Sequence, residues 1–468
     1  MELYNTIYRT KEKVTPQDGK TISFYACGPT VYDFSHIGHI RSCIYNDILR
    51  RVFPYLGMQI KHIMNITDVG HLSDDADSGE DKMEKGARKY GKTVWDLAQY
   101  YTDFFFMSMD AVNILRPEIV CKATDHIPEI IELVKTLVAK GHAYETKDAV
   151  YFDITTFKEY GRLSGQKNDD KMEAVRKEVS VDPGKKHPAD FVLWFKRVGK
   201  FENHTMHWDS PWGDGFPGWH IECSAMSMKY LGKTIDLHTG GEDHIPLHHE
   251  NEIAQSEAAT GVPFVKHWVH FSFLQVNGQK MSKSLGNFYT IEDVKKHGIH
   301  PLALRLLFLQ THYRQLMNFT WEAAEGANEA YMRLKHLISP LVRDIHKEKI
   351  ESVQAQKYNK LFVSALNNDL QTPMAVATLW TMLKDGQIPD YEKIALVADF
   401  DQVLGLDLLK EEKKTIIPQE IIDFAEQRKQ AKEQKNYAKA DELRKQIEEK
   451  GYRIEDIKDK YSIFPTNH

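Results

Sequence analysis

The chain has 468 residues, too many for one ordinary hydrophobic core, and its length predicts about two to four domains. The composition is 42% hydrophobic and 27% charged, with no apolar run long enough to span a bilayer, so we expect a soluble globular protein without membrane contact. The formal net charge of -6 argues against a general nucleic-acid binder, although it leaves room for a local basic track.

The N-terminal part of the chain predicts a strand–helix–strand unit. Residues 1–20 are polar, without the apolar segment of a signal peptide, so we expect the protein in the cytoplasm. A short buried strand is predicted at Ile22–Cys27, and a second one at Ile60–Ile66. The helix between them is predicted by apolar residues that recur every four positions: Ile40, Ile44, Ile48 and Val52. Such a unit implies a parallel sheet with ligands at the carboxyl ends of its strands.

Further elements follow in chain order. They are a charged surface excursion at 74–92, an amphipathic helix at Ile127–Ala139, a charged loop or insertion at 167–187, a strand at Phe191–Phe195, a structured loop rich in Gly, Pro and Trp at 212–218, and a helix at 247–259. After Pro301 the periodicity is helical almost throughout and predicts a bundle, and residues 420–460 are dense in charges of both signs. Within 420–460 a helix is predicted by the apolar stripe Ala438, Ala440, Leu443 and Ile447.

The four cysteines are far apart and show no paired spacing, so a disulfide framework is not expected. Cys43 lies within an apolar helical pattern, and we expect Cys43 and Cys121 to be buried and inert. Cys27 and Cys223 are candidates for chemistry.

Two short motifs carry groups suited to phosphate. His36-Ile37-Gly38-His39 stands where the first helix begins, and a helix start attracts anions through its dipole and free N–H groups. Lys280-Met281-Ser282-Lys283-Ser284 is bracketed by glycines and predicts a mobile loop whose two ammonium groups close on a triphosphate. Taken alone, each motif is also compatible with ordinary surface polarity.

Together the two motifs, HIGH and KMSKS, resemble the signature pair of class I aminoacyl-tRNA synthetases. The chain is similar to the cysteinyl-tRNA synthetase family in particular, in four segments: YACGPTVYDFSHIGH at Tyr25–His39, GWHIECSAM at Gly218–Met226, HHENEIAQSE at His248–Glu257 and KMSKSLGN at Lys280–Asn287. The resemblance extends over residues 2–460 and is more specific in the catalytic half than in the tail.

The resemblance implies an α/β fold, with a Rossmann-type parallel-sheet catalytic domain that carries a connective insertion, then an α-helical bundle and a small C-terminal domain. The implied domains are the first catalytic half (1–115), the connective insertion (116–200), the second catalytic half (201–275), the KMSKS loop and stem-contact region (276–325), the helical bundle (326–407) and the anticodon-binding domain (408–468).

The resemblance also implies the reaction, in which L-cysteine is activated with ATP and Mg²⁺ and then transferred to the 3′ end of tRNA(Cys) by a monomer. It assigns one zinc ion to Cys27, Cys223, His248 and Glu252. It assigns catalysis to His36, His39, His238, Lys280 and Lys283. It assigns ATP binding to Gly28, Thr30, His36, Gly38, His39, Lys280 and Lys283. It assigns the amino-acid pocket to Cys27, Trp219 and His238.

The zinc assignment is chemically reasonable but is not dictated by spacing. His248 and Glu252 are four apart on a predicted helix and share a face, and thiolate, imidazole and carboxylate are ordinary zinc ligands. From spacing alone, His249 or Glu250 is an equal candidate. A zinc ion suits the task, because an apolar pocket separates cysteine from serine poorly, whereas zinc takes the thiol as thiolate.

Two alternative functions remain at this stage. A small-molecule cysteine ligase of the mycothiol-pathway type shares the catalytic half and the zinc site but ends without an anticodon domain. A non-catalytic, zinc-containing RNA-binding protein would not require both phosphate motifs. The tail favours the tRNA enzyme, although Tyr461–Phe464 stands where the family usually has a Gly-x-x-Trp element.

Overall fold

The structure is a computed structural model that describes residues 1–69, 81–165, 184–341, 350–410, 417–434, 436–457 and 460–465. The chain divides into two compact units, residues 1–409 and residues 410–468, which are described separately below. Among the described residues, no helix combines the length and the apolar character needed to cross a membrane.

Helices and strands alternate in the first half of the chain, and helices predominate in the second. The helices are α1 (Ile37–Tyr55), α2 (Lys82–Tyr90), α3 (Val94–Ala111), α4 (Ile127–Ala139), α5 (Trp219–Leu231), α6 (His248–Thr260), α7 (Ile291–Lys296), α8 (Pro301–Leu309), α9 (Trp321–Ile338), α10 (Val353–Asn367), α11 (Thr372–Lys384), α12 (Asp390–Leu404), α13 (Gln419–Glu433) and α14 (Tyr437–Glu449). The strands are β1 (Glu2–Asn5), β2 (Thr10–Lys13), β3 (Thr21–Ala26), β4 (Gln59–Ile66), β5 (Ile119–Lys122), β6 (Ala143–Glu145), β7 (Ala149–Phe152), β8 (Phe191–Lys196), β9 (Gly215–Pro217), β10 (Ile235–Gly241), β11 (Val265–Phe271), β12 (Leu274–Val276), β13 (Gln279–Lys280), β14 (Met317–Phe319), β15 (Tyr452–Ile457) and β16 (Lys460–Pro465).

The central sheet has five parallel strands in the order β11-β10-β3-β4-β5. Its inner strands are buried over most of their length, as expected for strands covered on both faces, although β10 and β4 also carry polar residues, and Phe24, Tyr25 and Ala26 of β3 are fully buried. The predicted strand–helix–strand unit is confirmed, since β3 and β4 are parallel neighbours joined through α1. The α/β fold class predicted from the motifs is likewise confirmed.

The sheet has a topological switch point between β3 and β10. From β3 the chain continues through α1 to β4 on one side, whereas from β10 it continues through α6 to β11 on the other. The two loops diverge at the carboxyl ends of these strands and leave a crevice, where α/β proteins bind ligands. Gly28 lies at this edge, where an added Cβ would lie 1.7 Å from the carbonyl oxygen of Asn65, so only glycine fits.

A second sheet, antiparallel and of order β6-β7-β8-β9, packs with α4 in the middle of the chain. The predicted helix at Ile127–Ala139 is confirmed residue for residue. The prediction of a loop over 212–218 is partly wrong, because residues 215–217 form β9 on the edge of this sheet. An added Cβ on Gly215 would lie 2.0 Å from the carbonyl oxygen of Phe195, so the glycine reflects close strand packing and not a turn. Of the predicted insertion at 167–187, residues 167–183 lie outside the described ranges.

The charged segment at 74–92 differs from its prediction as a surface excursion. Residues 74–80 lie outside the described ranges, but residues 82–90 form α2, whose first turn is capped by the buried Asp81. Met83 is fully buried, and Asp81 is bonded to His204 Nε2 at 2.8 Å. The high charge density hid a helix that packs through two apolar side chains, Met83 and Ala87, and one buried acid, Asp81.

The helical prediction after Pro301 is confirmed for α8 to α12, with one short exception: β14 pairs in parallel with β12. In the second unit, α13, α14 and the β15–β16 hairpin enclose a small core of Ile421, Ala425, Ile447 and Ile454. The predicted apolar stripe of α14 is confirmed at Ala440, Leu443 and Ile447, whereas Ala438 is exposed.

Candidate active site

A cleft of about 700 Å³ opens at the switch point of the central sheet. Its lining contains ten of the residues predicted from the motifs: Cys27, Gly28, Thr30, His36, His39, Trp219, Cys223, His248, Lys280 and Lys283. Gly38, Glu252 and His238 are not among the lining residues. The cleft thus brings the two phosphate motifs and three of the four predicted zinc ligands to one place.

The HIGH motif begins α1, but its backbone donors are not free as the sequence argument assumed. His36 is the N-cap, and its Nδ1 accepts from the backbone N–H groups of Gly38 and His39 at 3.1 and 3.2 Å. The N–H of Ile37 donates to the carbonyl of Tyr289, and that of Ile40 to the carbonyl of His36. The prediction of free helix N–H groups is therefore wrong, since the first turn is already satisfied.

The rings of the motif supply donors in place of the backbone. The His36 and His39 rings stack with centroids 3.7 Å apart. Burial, together with the neighbouring His39, lowers the pKa of His36 to about 2, so the ring is neutral at physiological pH. Because Nδ1 accepts hydrogen bonds, the neutral His36 ring carries its proton on Nε2. His39 Nδ1 also accepts a bond, at 3.4 Å from the backbone N–H of His36.

The KMSKS motif follows a tight hairpin between β12 and β13. Asn277 and Gly278 adopt left-handed conformations with φ of 50° and 73°, the arrangement that a two-residue Asn-Gly hairpin requires. Asn287 braces the loop from below, accepting from the N–H of Ser282 at 2.7 Å and donating to the carbonyl of Lys280 at 3.1 Å. Both lysines are exposed, and Lys283 reaches across the cleft to Asp33.

The predicted zinc ligands form one compact group. The ligand atoms of Cys27, Cys223, His248 and Glu252 all lie within 4.8 Å of one another. Cys27 directly follows β3, Cys223 is in α5, and His248 and Glu252 are one turn apart in α6. Two thiols, an imidazole and a carboxylate are donor types with which proteins hold zinc.

The charges in this group call for a cation. A hydrogen bond from the Cys27 thiol and the nearby His248 ring outweigh burial and lower the pKa of Cys223 to about 6. Burial would raise the pKa of Glu252, but His238 and His248 lower it well below its ordinary value. Burial opposes protonation of His248, but Glu252 and Cys223 raise its pKa to about 10. A buried thiolate and a buried carboxylate thus face only one positive charge, the proton on His248, and a metal cation fits the same position.

His249 belongs to a second group that also fits a metal, made of Cys27, His238, His249 and Glu252. His249 Nε2 lies 3.3 Å from Cys27 Sγ, and its Nδ1 is 2.7 Å from His270 Nε2. Such an orienting bond is typical of histidines that bind metals. His249, left open by the spacing argument, therefore stays open on geometry, whereas Glu250 accepts from the backbone N–H groups of Gly161 and Ser164 and has a structural task.

Two further residues were predicted for the amino-acid pocket. Trp219 lines the cleft and stacks on His248, with ring centroids 4.3 Å apart. His238 is fully buried outside the cleft lining, and its Nε2 lies 3.0 Å from Glu252 Oε2. His238 therefore contacts the candidate metal ligand Glu252 and does not itself line the cleft.

Three residues near the site were not nominated from the sequence. Asp33 is the partner of Lys283, His220 Nδ1 lies 2.9 Å from His248 Nδ1, and His270 supports His249. Each of the three contacts a residue that lies in one of the motifs. Only Asp33 and His220 could have been suggested from the sequence, because they lie within a motif segment themselves.

Comparisons with known proteins decide the family. The model of the class I tRNA synthetase (C) catalytic domain matches residues 13–329. A Treponema denticola protein described as a cysteine–tRNA ligase is 43% identical, with 97% of this chain and 98% of the relative covered. The chain belongs to the cysteine–tRNA ligase family. A Thermus thermophilus member is 40% identical, with 98% of each chain covered, so such relatives share the tail as well as the catalytic half.

Solved structures of other aminoacyl-tRNA synthetases share the fold of this cysteine–tRNA ligase family member. The Agrobacterium radiobacter LeuRS–tRNA–LeuAMS complex matches with a TM-score of 0.59 at 12% identity, covering 86% of each chain. A Mycobacterium tuberculosis methionyl-tRNA synthetase matches with a TM-score of 0.55 at 14% identity, covering 83% of this chain and 89% of that one. The family and the ligase function predicted from the motifs are confirmed.

Proposed function

We propose that this chain forms cysteinyl-adenylate from L-cysteine and ATP and transfers the cysteinyl group to the 3′ end of tRNA(Cys). The observation that carries the proposal is one cleft in which a sulfur-rich metal-binding group faces both phosphate motifs. The cysteine carboxylate attacks the α-phosphate and releases pyrophosphate. A terminal ribose hydroxyl of tRNA then attacks the carbonyl carbon of the adenylate, forms the ester, and releases AMP. The reaction needs no covalent enzyme nucleophile, because positioning and charge stabilisation supply the acceleration.

We propose that one zinc ion per chain is held by Cys27, Cys223, His248 and Glu252. When bound, zinc supplies a Lewis acid that accepts the substrate thiol as thiolate and so discriminates against serine. The chain itself orients these ligands: His238 holds one oxygen of Glu252, and His220 contacts the second nitrogen of His248. Trp219, stacked on His248, forms an apolar wall that keeps water from the side chain of the substrate.

We propose that the triphosphate lies between the two motifs. His36 offers a neutral Nε2–H to the phosphates, and His39 adds a second imidazole from the open face of the first helical turn. Lys280 and Lys283 add positive charge from the loop opposite, and Mg²⁺ enters with the nucleotide to neutralise the phosphate oxygens. Gly28, Thr30 and Gly38 contribute backbone that a nucleotide approaches closely; a Cβ on Gly38 would lie 2.9 Å from the His36 ring.

The predicted tRNA-binding regions remain proposals. We propose that residues 276–325 contact the acceptor stem and that residues 408–468 bind the anticodon, with residues 326–407 as the bundle between them. We propose that the catalytic domain consists of two halves, residues 1–115 and 201–275, separated by the connective insertion at 116–200. We also propose that the enzyme acts in the cytoplasm as a monomer, which sedimentation with and without tRNA tests directly.

The activation step is tested by ATP–pyrophosphate exchange. We expect exchange with L-cysteine, at most trace exchange with L-serine, loss of exchange after chelation of zinc, and recovery when zinc alone is restored. Serine is the matched control, since it differs from cysteine in one atom. Equal exchange with serine, or exchange that is indifferent to chelation, would contradict the zinc assignment.

A further inference from the structure

Lys283 of the KMSKS loop is tied across the cleft to Asp33. Its ammonium lies 2.5 Å from Asp33 Oδ2 and 2.6 Å from Oδ1, so it meets both oxygens of one carboxylate. The same ammonium lies 5.1 Å from the centre of the Phe288 ring, which in turn packs edge-on against His36. The lysine expected to meet the triphosphate is therefore already paired, in the cleft, with an acid of the opposite wall.

The acid is the fixed partner of this pair. Asp33 Oδ1 accepts from the N–H of Phe34 at 2.7 Å, and the Phe34 ring is set among Tyr100, Tyr101 and Phe104 of α3. The residues just before it are held by paired backbone bonds between Val31, Thr67 and Pro29. The carboxylate is thus anchored both by the edge of the sheet and by an aromatic cluster.

The lysine is the movable partner. Lys283 is 56% exposed, whereas Asp33 is 26% exposed. The loop around it is braced by Asn287 and by a contact between the hydroxyls of Ser282 and Ser284. A partly exposed ion pair of this kind is weak enough to be exchanged, and a triphosphate offers several anionic oxygens where Asp33 offers one carboxylate.

We infer that Asp33 is a positioning residue that holds Lys283 over the cleft before ATP binds and yields it to the triphosphate when ATP arrives. The ion pair presets the loop near its working position, and ATP binding replaces one anion by another on the same ammonium. The inference rests on ATP being the substrate, as proposed above. It makes the Asp33 carboxylate a competitor of the nucleotide, so its removal strengthens ATP binding.

Asp33→Asn tests this directly, because it keeps the side-chain shape and removes the charge. We expect the variant to bind ATP, measured without cysteine, about two- to fivefold more tightly than the wild type, the range that an exposed ion pair supports. In ATP–pyrophosphate exchange, KM for ATP falls by a similar factor while kcat does not rise. A residue with a merely structural role would raise KM or lower kcat when replaced, and could not lower KM alone.

Two controls separate pairing from general charge. In a Lys283→Gln background, Asp33→Asn should leave ATP affinity unchanged, because the partner is gone. Hydrogen exchange of residues 278–287 without ATP should be faster in Asp33→Asn. It should be unchanged in Asp243→Asn, an acid of the same cleft for which no ion pair occurs among the described residues.

Three results would overturn the inference: an unchanged or raised KM for ATP in Asp33→Asn, an affinity gain that persists with Lys283→Gln, or loop exchange that does not change. Failure of the proposed activation of cysteine by ATP is distinguishable, since the wild type itself would then neither bind ATP nor support exchange.

Discussion

Neighbouring side chains of one helix serve different purposes at this site. On α6, His248 and Glu252 face the sulfur ligands, and Glu250 points away to two backbone N–H groups. His249 lies against Cys27 on one side of its ring and His270 on the other. Gly240 makes room for this arrangement, because an added Cβ would lie 2.5 Å from the His249 ring. Neighbouring positions of α6 therefore offer different chemical groups to the site, so assigning a metal ligand one residue away would change the predicted chemistry.

Replacing Cys223 tests the ligand set. Cys223→Ser should lower zinc content and raise KM for cysteine by about 100-fold or more, since even residues that only support a ligand account for 10–100-fold in metal affinity. Cys121→Ser is the control, because Cys121 is buried in β5 and bonded to a backbone carbonyl. If Cys223→Ser keeps its zinc while His249→Ala loses it, the second group of residues is the ligand set.

His238 provides a subtler test. His238→Leu removes the contact to Glu252 while preserving bulk, and we expect zinc affinity, measured by competition with a chelator, to fall about 10- to 100-fold. His238→Gln, which keeps a donor for the carboxylate, should recover most of the loss. Equal loss in both variants would assign His238 to the packing of the core instead.

At the scale of elements, helix starts determine where groups are placed. In α1 the N-cap histidine accepts from the first backbone donors, so we expect the imidazole rings, and not the helix backbone, to meet an anion. In α2 the N-cap Asp81 is buried and joined to His204, which stacks on Phe216 with centroids 3.9 Å apart. Both capping side chains also contact residues outside their own helix: His36 packs against Phe288, and Asp81 bonds to His204.

The His204–Asp81 contact predicts a pH-dependent contribution to stability. Burial disfavours the charged ring, but the hydrogen bond to Asp81 and its charge outweigh burial and raise the pKa of His204 above its ordinary value. The charged contact is therefore fully stabilising below the unfolded pKa of about 6.5 and weakens as pH rises through the folded value. His204→Gln should lower the free energy of unfolding by about 1–3 kcal/mol at pH 6 and by less at pH 9.

Denaturant unfolding at the two pH values measures this difference. His207→Gln is the control, because His207 contacts Asp214 at the surface and its loss should be small at both values. A gap between wild type and His204→Gln that widens toward pH 9 would contradict the sign.

Elements whose apolar residues repeat at a regular spacing were predictable from the sequence. Elements that form through close packing against distant parts of the chain were not. The apolar spacing of α1 and α4 predicted both helices, because apolar residues at helical spacing are buried in each. α4 buries that stripe alone, whereas α1 is buried around most of its circumference. Residues 82–90 were missed because their helix packs only through Met83, Ala87 and its N-cap Asp81, and charge density is normally a sign of exposure. Residues 215–217 were missed because a strand glycine looks like a turn glycine until its neighbour is known.

At the scale of the molecule, one buried arginine joins the catalytic core to the helices that follow. Arg305 of α8 binds Asp47 of α1 at 2.5 Å, the carbonyl of Leu404 at the end of α12, and the carbonyl of Val112 after α3. Arg305 and Asp47 are both fully buried. The helix that carries HIGH is therefore joined to the bundle by this buried guanidinium, together with Tyr55, which donates to Asp399, and Arg51, which donates to the carbonyl of Gln402.

Replacing this arginine should destabilise the whole of residues 1–409. Arg305→Leu removes one of the two guanidinium partners of the buried Asp47, which keeps Arg51, and leaves the carbonyls of Leu404 and Val112 without this donor. We expect a loss of about 3 kcal/mol in the free energy of unfolding. Arg116→Leu, which removes an exposed pair with Asp110, should cost less than about 1 kcal/mol. Equal losses by denaturant unfolding would show that burial of the Arg305 pair does not matter.

The site as a whole could not be assembled from spacing. Cys27 and Cys223 meet only because β3 and α5 lie at the same edge of the sheet, and no local pattern links them. The phosphate motifs were recognisable because each is a contiguous segment with a physical task. The partner of Lys283 was not recognisable, because Asp33 lies far from it in sequence and only the fold brings the two side chains together.

Charging of a tRNA with a GCA anticodon tests the central claim most directly. With ATP, the wild type should attach cysteine and not serine to this tRNA, lose the activity when zinc is chelated, and regain it when zinc is restored. If cysteinyl-adenylate forms but the cysteine passes only to a small amine and never to the tRNA, the account of this protein as a tRNA-charging enzyme is wrong.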